Sequence, residues 1–96
     1  MDKAIILYIG SDNETLKISE EYENKAHAII SKYFEGYTKE EVAGYWQGQK
    51  EETMKITSFV EQIDKESVKK LCEELKQNLK QISIGVEFKK IQFNEF

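Results

Sequence analysis

The order of the hydrophobic segments predicts an α+β protein, namely a ferredoxin-like β-α-β-β-α-β chain with an antiparallel four-stranded sheet and two helices on one face. Two segments repeat apolar residues at the three- and four-residue spacing of a helix, and four others show the runs or alternations typical of strands. Ninety-six residues suit one hydrophobic core, so we expect a single domain spanning 1–96.

The first strand is predicted over residues 3–9, where an unbroken apolar run rich in isoleucine follows Lys3. A strand that is apolar on both faces belongs in the middle of a sheet. Gly10 ends the run, and the residues from Gly10 to Asn13 have turn chemistry. The segment 14–18 is ambiguous between a hairpin arm and a lead into the next helix.

The first helix is predicted to begin at Ser19, a favourable N-cap that is followed by Glu20 and Glu21, where the helix dipole favours negative charge. A single apolar stripe marks its buried face: Tyr22, Ala26, Ile29, Ile30, Tyr33 and Phe34. Gly36 is the expected C-cap, because glycine readily adopts the left-handed conformation that ends many helices.

Two further strands are predicted over Val42–Gln49 and Thr53–Ile63, joined by a polar hairpin tip at Gln49–Glu52. Asp64 is the predicted N-cap of the second helix. The apolar stripe of that helix comprises Val68, Leu71, Cys72, Leu75, Leu79 and Ile82.

A last strand is predicted from Ile84 to Phe88, where apolar residues alternate with polar ones or glycine. The apolar phase then slips, because Ile91 and Phe93 are odd-numbered where the earlier set is even. A bulge or a turn near Lys89–Lys90 would explain the slip.

Composition narrows the function classes. The net charge is −4, the pI is near 5.1 and every basic residue is lysine, so we do not expect binding to a nucleic-acid backbone. The apolar run over residues 4–9 is too short to cross a bilayer, and one cysteine fits a reducing compartment. We therefore expect a cytoplasmic protein without a membrane segment.

Helices on one side of a sheet leave the reverse side open, and aromatic residues there would mark a homodimer interface or a ligand platform. Alternatively, residues 11–18 or 91–96 fold over that side. By alternation we expect Tyr8, Tyr45 and Phe59 on it, with Gln47 and Thr57 nearby. The candidate ligand-binding or interface residues are Tyr8, Tyr37, Tyr45, Trp46, Gln47 and Phe59.

Trp46 stands between Gly44 and Gly48 at every second position, so one strand face would show bare backbone beside an indole ring. Such a gap would admit a flat ligand or the side chain of a partner. In the alternative interpretation, the indole fills the space over its own glycines and closes the core.

No catalytic residue, metal site or cofactor is predicted. His27 with Glu23 one turn earlier is the most obvious acid–base pair, but a surface histidine is the favoured interpretation. His27 and Cys72 lie on different helices and lack the spacing of metal ligands. We expect Cys72 to be a core residue rather than a nucleophile.

The segment Phe34-x-Gly36-Tyr37-Thr38, followed by Gly44-Tyr45-Trp46-x-Gly48, resembles a signature of short bacterial and phage-type proteins that are classed only as domains of unknown function. The resemblance covers most of the chain, in the same order of strands and helices. It implies no established activity.

Three functions are consistent with these patterns. The first is a non-enzymatic homo-oligomeric binding module that holds a small ligand, for example a nucleotide or metabolite, or a protein partner. The second is a phage-type protein–protein inhibitor or adaptor that acts through its acidic surface. The third is a small dimeric α+β barrel enzyme with chemistry in a cavity between helices and sheet, where His27 would be the base.

Overall fold

The computed structural model describes all 96 residues and shows four strands and two helices in the predicted order. The sheet has the order β2-β3-β1-β4, and every neighbouring pair is antiparallel. This confirms the ferredoxin-like fold and the central positions of the first and third strands. The elements are β1 (Lys3–Gly10), α1 (Glu20–Ile30), β2 (Thr38–Trp46), β3 (Gln49–Val60), α2 (Lys65–Leu79) and β4 (Gly85–Lys90).

The core lies between the helices and one face of the two central strands. Because opposed residues of an antiparallel pair point to the same face, Leu7 and Ile9 of β1 share that face with Ile56 and Met54 of β3. The helices complete the core with Tyr22, Ala26, Ile29 and Ile30 from α1 and Val68, Leu71, Leu75 and Leu79 from α2. The predicted helical stripes are thus confirmed over most of their length.

Helix α1 begins as predicted but ends earlier. The Ser19 hydroxyl accepts a hydrogen bond from the Tyr22 N–H at 3.1 Å, as an N-cap should. The helix ends at Ile30, and the Tyr33 and Phe34 N–H groups both donate to the Ile30 carbonyl in a tighter turn. The predicted C-cap at Gly36 is therefore wrong, and Gly36 does not adopt a positive φ. Phe34 nevertheless remains buried.

The hairpin between β2 and β3 turns three residues before the centre of the predicted tip. Gln47 and Gly48 form a two-residue loop with φ values of 51° and 77°. Positive φ values at both positions give the loop a backbone twist that matches the twist of the flanking strands. The tip predicted at Gln49–Glu52 is wrong, because Gly48 supplies the left-handed residue that the turn needs. The polar residues after it belong to β3, where Gln49 and Lys50 are exposed and Glu51 and Glu52 are half-buried.

Helix α2 has the predicted N-cap, since the Asp64 carboxylate accepts hydrogen bonds from the N–H groups of Glu66 and Ser67 at 3.1 and 3.2 Å. The helix ends at Leu79, so Ile82 lies beyond it and is almost fully exposed, which contradicts its predicted place in the stripe. Cys72 is half-buried against the core, and burial raises the pKa of its thiol. These facts agree with a packing role rather than a nucleophilic one.

The strand β4 ends at Lys90 without a bulge. The Ile91 N–H still donates to the Asp2 carbonyl at 2.9 Å, and the chain then leaves the sheet. Phe93 returns to stack on Phe59, with ring centroids 4.6 Å apart and an angle of 22° between the rings. The predicted slip in apolar phase therefore marks the end of the strand.

Residues 11–18 form a closed loop rather than a hairpin arm. The Leu16 N–H donates to the Asp12 carbonyl at 2.8 Å, and the Glu52 carboxylate accepts from the Ile18 N–H at 2.6 Å. The Tyr22 hydroxyl donates to the Gly10 carbonyl at 2.6 Å and so joins α1 to the end of β1. These bonds fix the entry into α1.

Replacement of Lys80 by glycine should stabilise the protein. Lys80 follows α2 with φ 55° and ψ 43°, a left-handed conformation that costs a residue with a Cβ more than it costs glycine. We expect Lys80→Gly to raise the free energy of unfolding by about 0.5–1 kcal/mol. Urea denaturation measures the change, and Lys80→Ala, which keeps the Cβ, is the control without this gain. A lower stability for Lys80→Gly would contradict the strain argument.

Tyr22 should make the fold sensitive to alkaline pH. Burial raises the pKa of Tyr22 to about 12, from a model-compound value of 10.0. A raised pKa in the folded state means that the stabilisation is complete below about pH 10 and is lost as the pH rises towards 12. Tyr22→Phe should therefore flatten the fall in stability over this interval, as measured by urea denaturation at successive pH values. Tyr45→Phe, at an exposed side chain, is the control, and equal slopes in Tyr22→Phe and the wild type would refute the assignment.

Candidate functional site

The segment Phe34–Thr38, between α1 and β2, separates two clefts. The front cleft is an open groove of about 560 Å³ between α1 and the helix-covered face of β2 and β3. The rear cleft, of about 630 Å³, lies between the same segment, the end of β3 and the C-terminal residues. Because Phe34, Glu35, Gly36 and Tyr37 line both clefts, this segment is their common wall.

The front cleft contains two polar contacts between side chains that can exchange protons or carry charge. His27, in the last turn of α1, makes a close hydrogen-bonding contact between its Nδ1 and the Tyr37 hydroxyl. Lys39 of β2 forms an ion pair with Glu23 of α1 and lies 3.7 Å from the Glu41 carboxylate. Both contacts join α1 to the chain around the start of β2, because Tyr37 directly precedes this strand and Lys39 is its second residue.

Local structure explains why these residues meet. Glu23 and His27 are four residues apart, which places both on one side of α1. Lys39 is opposite Ile56 in the β2–β3 register, so its side chain points to the helix-covered face. The floor of the cleft is apolar and consists of Ala26, Ile30, Met54 and Ile56.

The environment fixes the charge of two of these groups near neutral pH. Burial, followed by the Glu23 charge, raises the pKa of the Tyr37 hydroxyl, so this group stays protonated. The hydrogen bond to Glu23 raises the pKa of Lys39, so this amine stays charged. His27 is the residue type best suited to proton transfer at neutral pH, and its contact with Tyr37 orients the imidazole ring.

Five aromatic residues line the rear cleft. Tyr33, Phe34 and Tyr37 come from the segment after α1, and Phe59 faces them together with the stacked Phe93. The Ser58 hydroxyl donates to the Gly36 carbonyl at 2.8 Å and holds the common wall against β3. The carboxylates of the lining are Glu35, Glu61 and Glu95.

The six residues predicted as a binding or interface set fall into three places. Tyr37 and Phe59 line the clefts, and Tyr37 is the contact of His27. Tyr45, Trp46 and Gln47 lie together at the end of the hairpin, eight residues or about 26 Å along β2 from Thr38. Tyr8 stands apart from both groups and donates its hydroxyl to Glu87 at 3.0 Å.

The reverse face of the sheet differs from the aromatic platform that alternation predicts. Tyr45 is opposite Lys50, on the helix-covered face, so its predicted place beside Tyr8 and Phe59 is wrong. The error is one of register, since the hairpin turns earlier than predicted. Ala4 and Ile6 on the reverse face are buried, and Phe93 stacks on Phe59. The C-terminal segment therefore covers part of this face, as in the alternative interpretation.

Trp46 does not close the core. Its side chain is 71 % exposed, and Tyr45 on the opposite face of the hairpin is equally exposed. The space over Gly44 is already taken, because a Cβ there would lie 2.6 Å from the Thr53 hydroxyl. The Thr53 side chain of the neighbouring strand thus fills part of the gap that was predicted between the two glycines. The Trp46 indole faces water.

Sequence patterns did not reveal that Lys39 and Phe93 belong to a site. They also gave no sign of the three carboxylates that line the rear cleft. Lys39 lies in a polar stretch that resembles a loop, and Phe93 follows the last strand, so neither pattern indicates a contact. No group of three or more His, Cys, Asp or Glu side chains is placed to hold a metal ion. Neither α1 nor α2 has the length and hydrophobicity of a membrane-spanning helix.

Comparison with known proteins gives a fold likeness. No protein-family model and no curated protein matches the chain. Among solved structures, the chain is similar to a phage SAM lyase in the apo state, with a TM-score of 0.69 and 23 % sequence identity. The match covers 93 % of this chain and 80 % of that chain. The four-stranded sheet with two helices is thus shared with a phage protein, which agrees in part with the phage-type resemblance of the sequence.

Proposed function

We propose that the protein binds S-adenosylmethionine (SAM) in the front cleft and cleaves it as a lyase. The observation that carries the proposal is the cluster of His27, Tyr37, Glu23 and Lys39 over an apolar floor. The fold likeness to a phage SAM lyase supports it. This is the enzymatic alternative in which chemistry takes place between the helices and the sheet.

The charges and the size of the front cleft suit this substrate. SAM has a sulfonium and an ammonium group, a carboxylate and a flat adenine ring. Glu23 and Glu35 would face the cationic groups, and Lys39 would face the carboxylate. The rings of Phe34 and Tyr37 offer surfaces for adenine or for the sulfonium. The cleft volume of about 560 Å³ falls within the usual range for small-molecule sites.

The proposed reaction breaks the bond between the sulfonium and the methionine side chain without adding water. His27 takes a proton from the carbon next to the one bonded to sulfur. The electrons of that C–H bond form a carbon–carbon double bond, while the C–S electrons remain on sulfur as a neutral thioether. The products are methylthioadenosine and an unsaturated amino acid, and His27 releases its proton to water.

Incubation with SAM should yield methylthioadenosine and an amino acid that is one water lighter than homoserine. In heavy-oxygen water the amino acid should remain unlabelled, because no water enters the product. Liquid chromatography with mass spectrometry measures both. His27→Ala should lower kcat by about a hundredfold, the usual contribution of a general base.

Lys25→Ala is the matched control, since Lys25 is exposed on α1 and does not line either cleft. Its turnover should equal that of the wild type. Labelled homoserine as the product would make the enzyme a hydrolase, and unchanged turnover in His27→Ala would remove His27 as the base. Absence of any SAM consumption would refute the lyase proposal as a whole.

A second candidate function is a non-enzymatic, homo-oligomeric binding module. The observation that favours it is the hairpin end, where Tyr45 and Trp46 are both 71 % exposed on opposite faces. Large apolar side chains on an extended arm are costly to leave in water, and a second copy or a protein partner would cover them. An inhibitor or adaptor role would use the same arm together with the acidic surface.

The binding module predicts that solution mass depends on the hairpin. The chain mass is 11.3 kDa, so light scattering should give a multiple of this value for the wild type and the monomer value for Tyr45→Ser with Trp46→Ser. Phe96→Ala is the control, because Phe96 is fully exposed at the C-terminus and does not belong to the hairpin. A monomeric wild type would contradict self-association.

A further inference from the structure

We propose that the rear cleft is a second binding site, which takes a small organic cation bearing a flat aromatic ring. This site is separated from the front cleft by the segment Phe34–Thr38. The proposal does not depend on lyase activity, because it rests on the walls and charges of the rear cleft alone.

The walls favour a flat ring. Phe59 and Phe93 are stacked with 4.6 Å between ring centroids, and Phe34 and Tyr37 line the same cleft. Aromatic faces bind other rings by offset stacking and attract cations through their quadrupole. The volume of about 630 Å³ has room for a ring of this kind with its substituents.

The charges favour a cation. Three carboxylates line the cleft, those of Glu35, Glu61 and Glu95, and none of them forms an ion pair with a lysine. The one cationic group of the lining is the α-amino group of Met1. The nearby Lys3 donates to the Glu61 carbonyl and pairs with Asp2, so it does not neutralise these carboxylates. An incoming cation would therefore meet unpaired negative charge beside π faces.

One wall of the cleft is attached loosely. After the bond from the Ile91 N–H to Asp2, residues 92–96 make no backbone hydrogen bond to the rest of the chain. The Phe93 ring is held by its stack on Phe59 and remains 38 % exposed. A movement of the Phe93 ring away from Phe59 would therefore break no backbone hydrogen bond of the sheet.

A matched pair of probes tests the site. Trimethylanilinium and N,N-dimethylaniline at pH 8 differ in one methyl group and in charge. In two-dimensional NMR titrations, trimethylanilinium should shift the amide signals of Gly36, Thr57 and Phe93 in a saturable manner. Dimethylaniline should bind at least about fivefold more weakly, as expected when a cation–π contact is lost. Equal binding of the two probes, or shifts confined to the front cleft, would overturn the proposal.

Variants separate the two contributions. Phe93→Ala should weaken trimethylanilinium binding at least about fivefold, whereas Phe96→Ala should leave it unchanged. The combined change of Glu35, Glu61 and Glu95 to glutamine should also weaken it, and the same change at the exposed Glu14, Glu40 and Glu66 is the charge-matched control. Unchanged binding in both cleft variants, with their NMR spectra still those of a folded protein, would refute the site.

Discussion

The antiparallel pairing of β1 with β3 forms the centre of the sheet and sets the face on which the core is built. Its register sets Leu7 opposite Ile56 and Ile9 opposite Met54, so that all four side chains form the surface on which the helices pack. A shift of one residue would send these side chains to the reverse face and expose the core to water. The same register places Ile6 opposite Thr57 and so determines what the reverse face presents.

The place where α1 ends determines the geometry of the candidate sites. Since the helix stops at Ile30 and β2 begins at Thr38, the intervening chain crosses from the helix layer to the sheet edge. Phe34 is buried on the way and Ser58 anchors the Gly36 carbonyl, so the crossing is a fixed wall rather than a free loop. One cleft therefore opens towards α1 and the other towards the C-terminal segment, with different chemistry on the two sides.

The two clefts and the hairpin end differ in their chemistry, and all three lie at the margins of the core. The core occupies most of the space between two helices and one sheet, so polar chemistry is confined to its margins. The front cleft holds proton-transfer groups on an apolar floor, the rear cleft holds rings and unpaired carboxylates, and the hairpin presents its two aromatic side chains to the surroundings. The front cleft, the rear cleft and the hairpin end all include residues of the chain between α1 and β3.

Local signals in the sequence were reliable where short-range physics decides the outcome. Ser19 and Asp64 cap their helices as predicted, because a cap needs only the N–H groups two or three residues ahead. The apolar stripes are buried for a similar reason, since helical periodicity alone defines a face. The hairpin tip was predicted at the wrong residues because both Gly48 and the polar residues after it have turn chemistry. The pairing of β2 with β3 places the turn at Gly48.

The amino-acid sequence was sufficient to predict the element order, the helix starts and the two central strands. Three contacts became visible only in the three-dimensional structure: Tyr37 with His27, Lys39 with Glu23, and Phe93 with Phe59. These contacts join residues that are 10, 16 and 34 positions apart, as the numbering of each pair gives. No periodicity within one element specifies such contacts, because they depend on where the chain turns and on how the layers pack together.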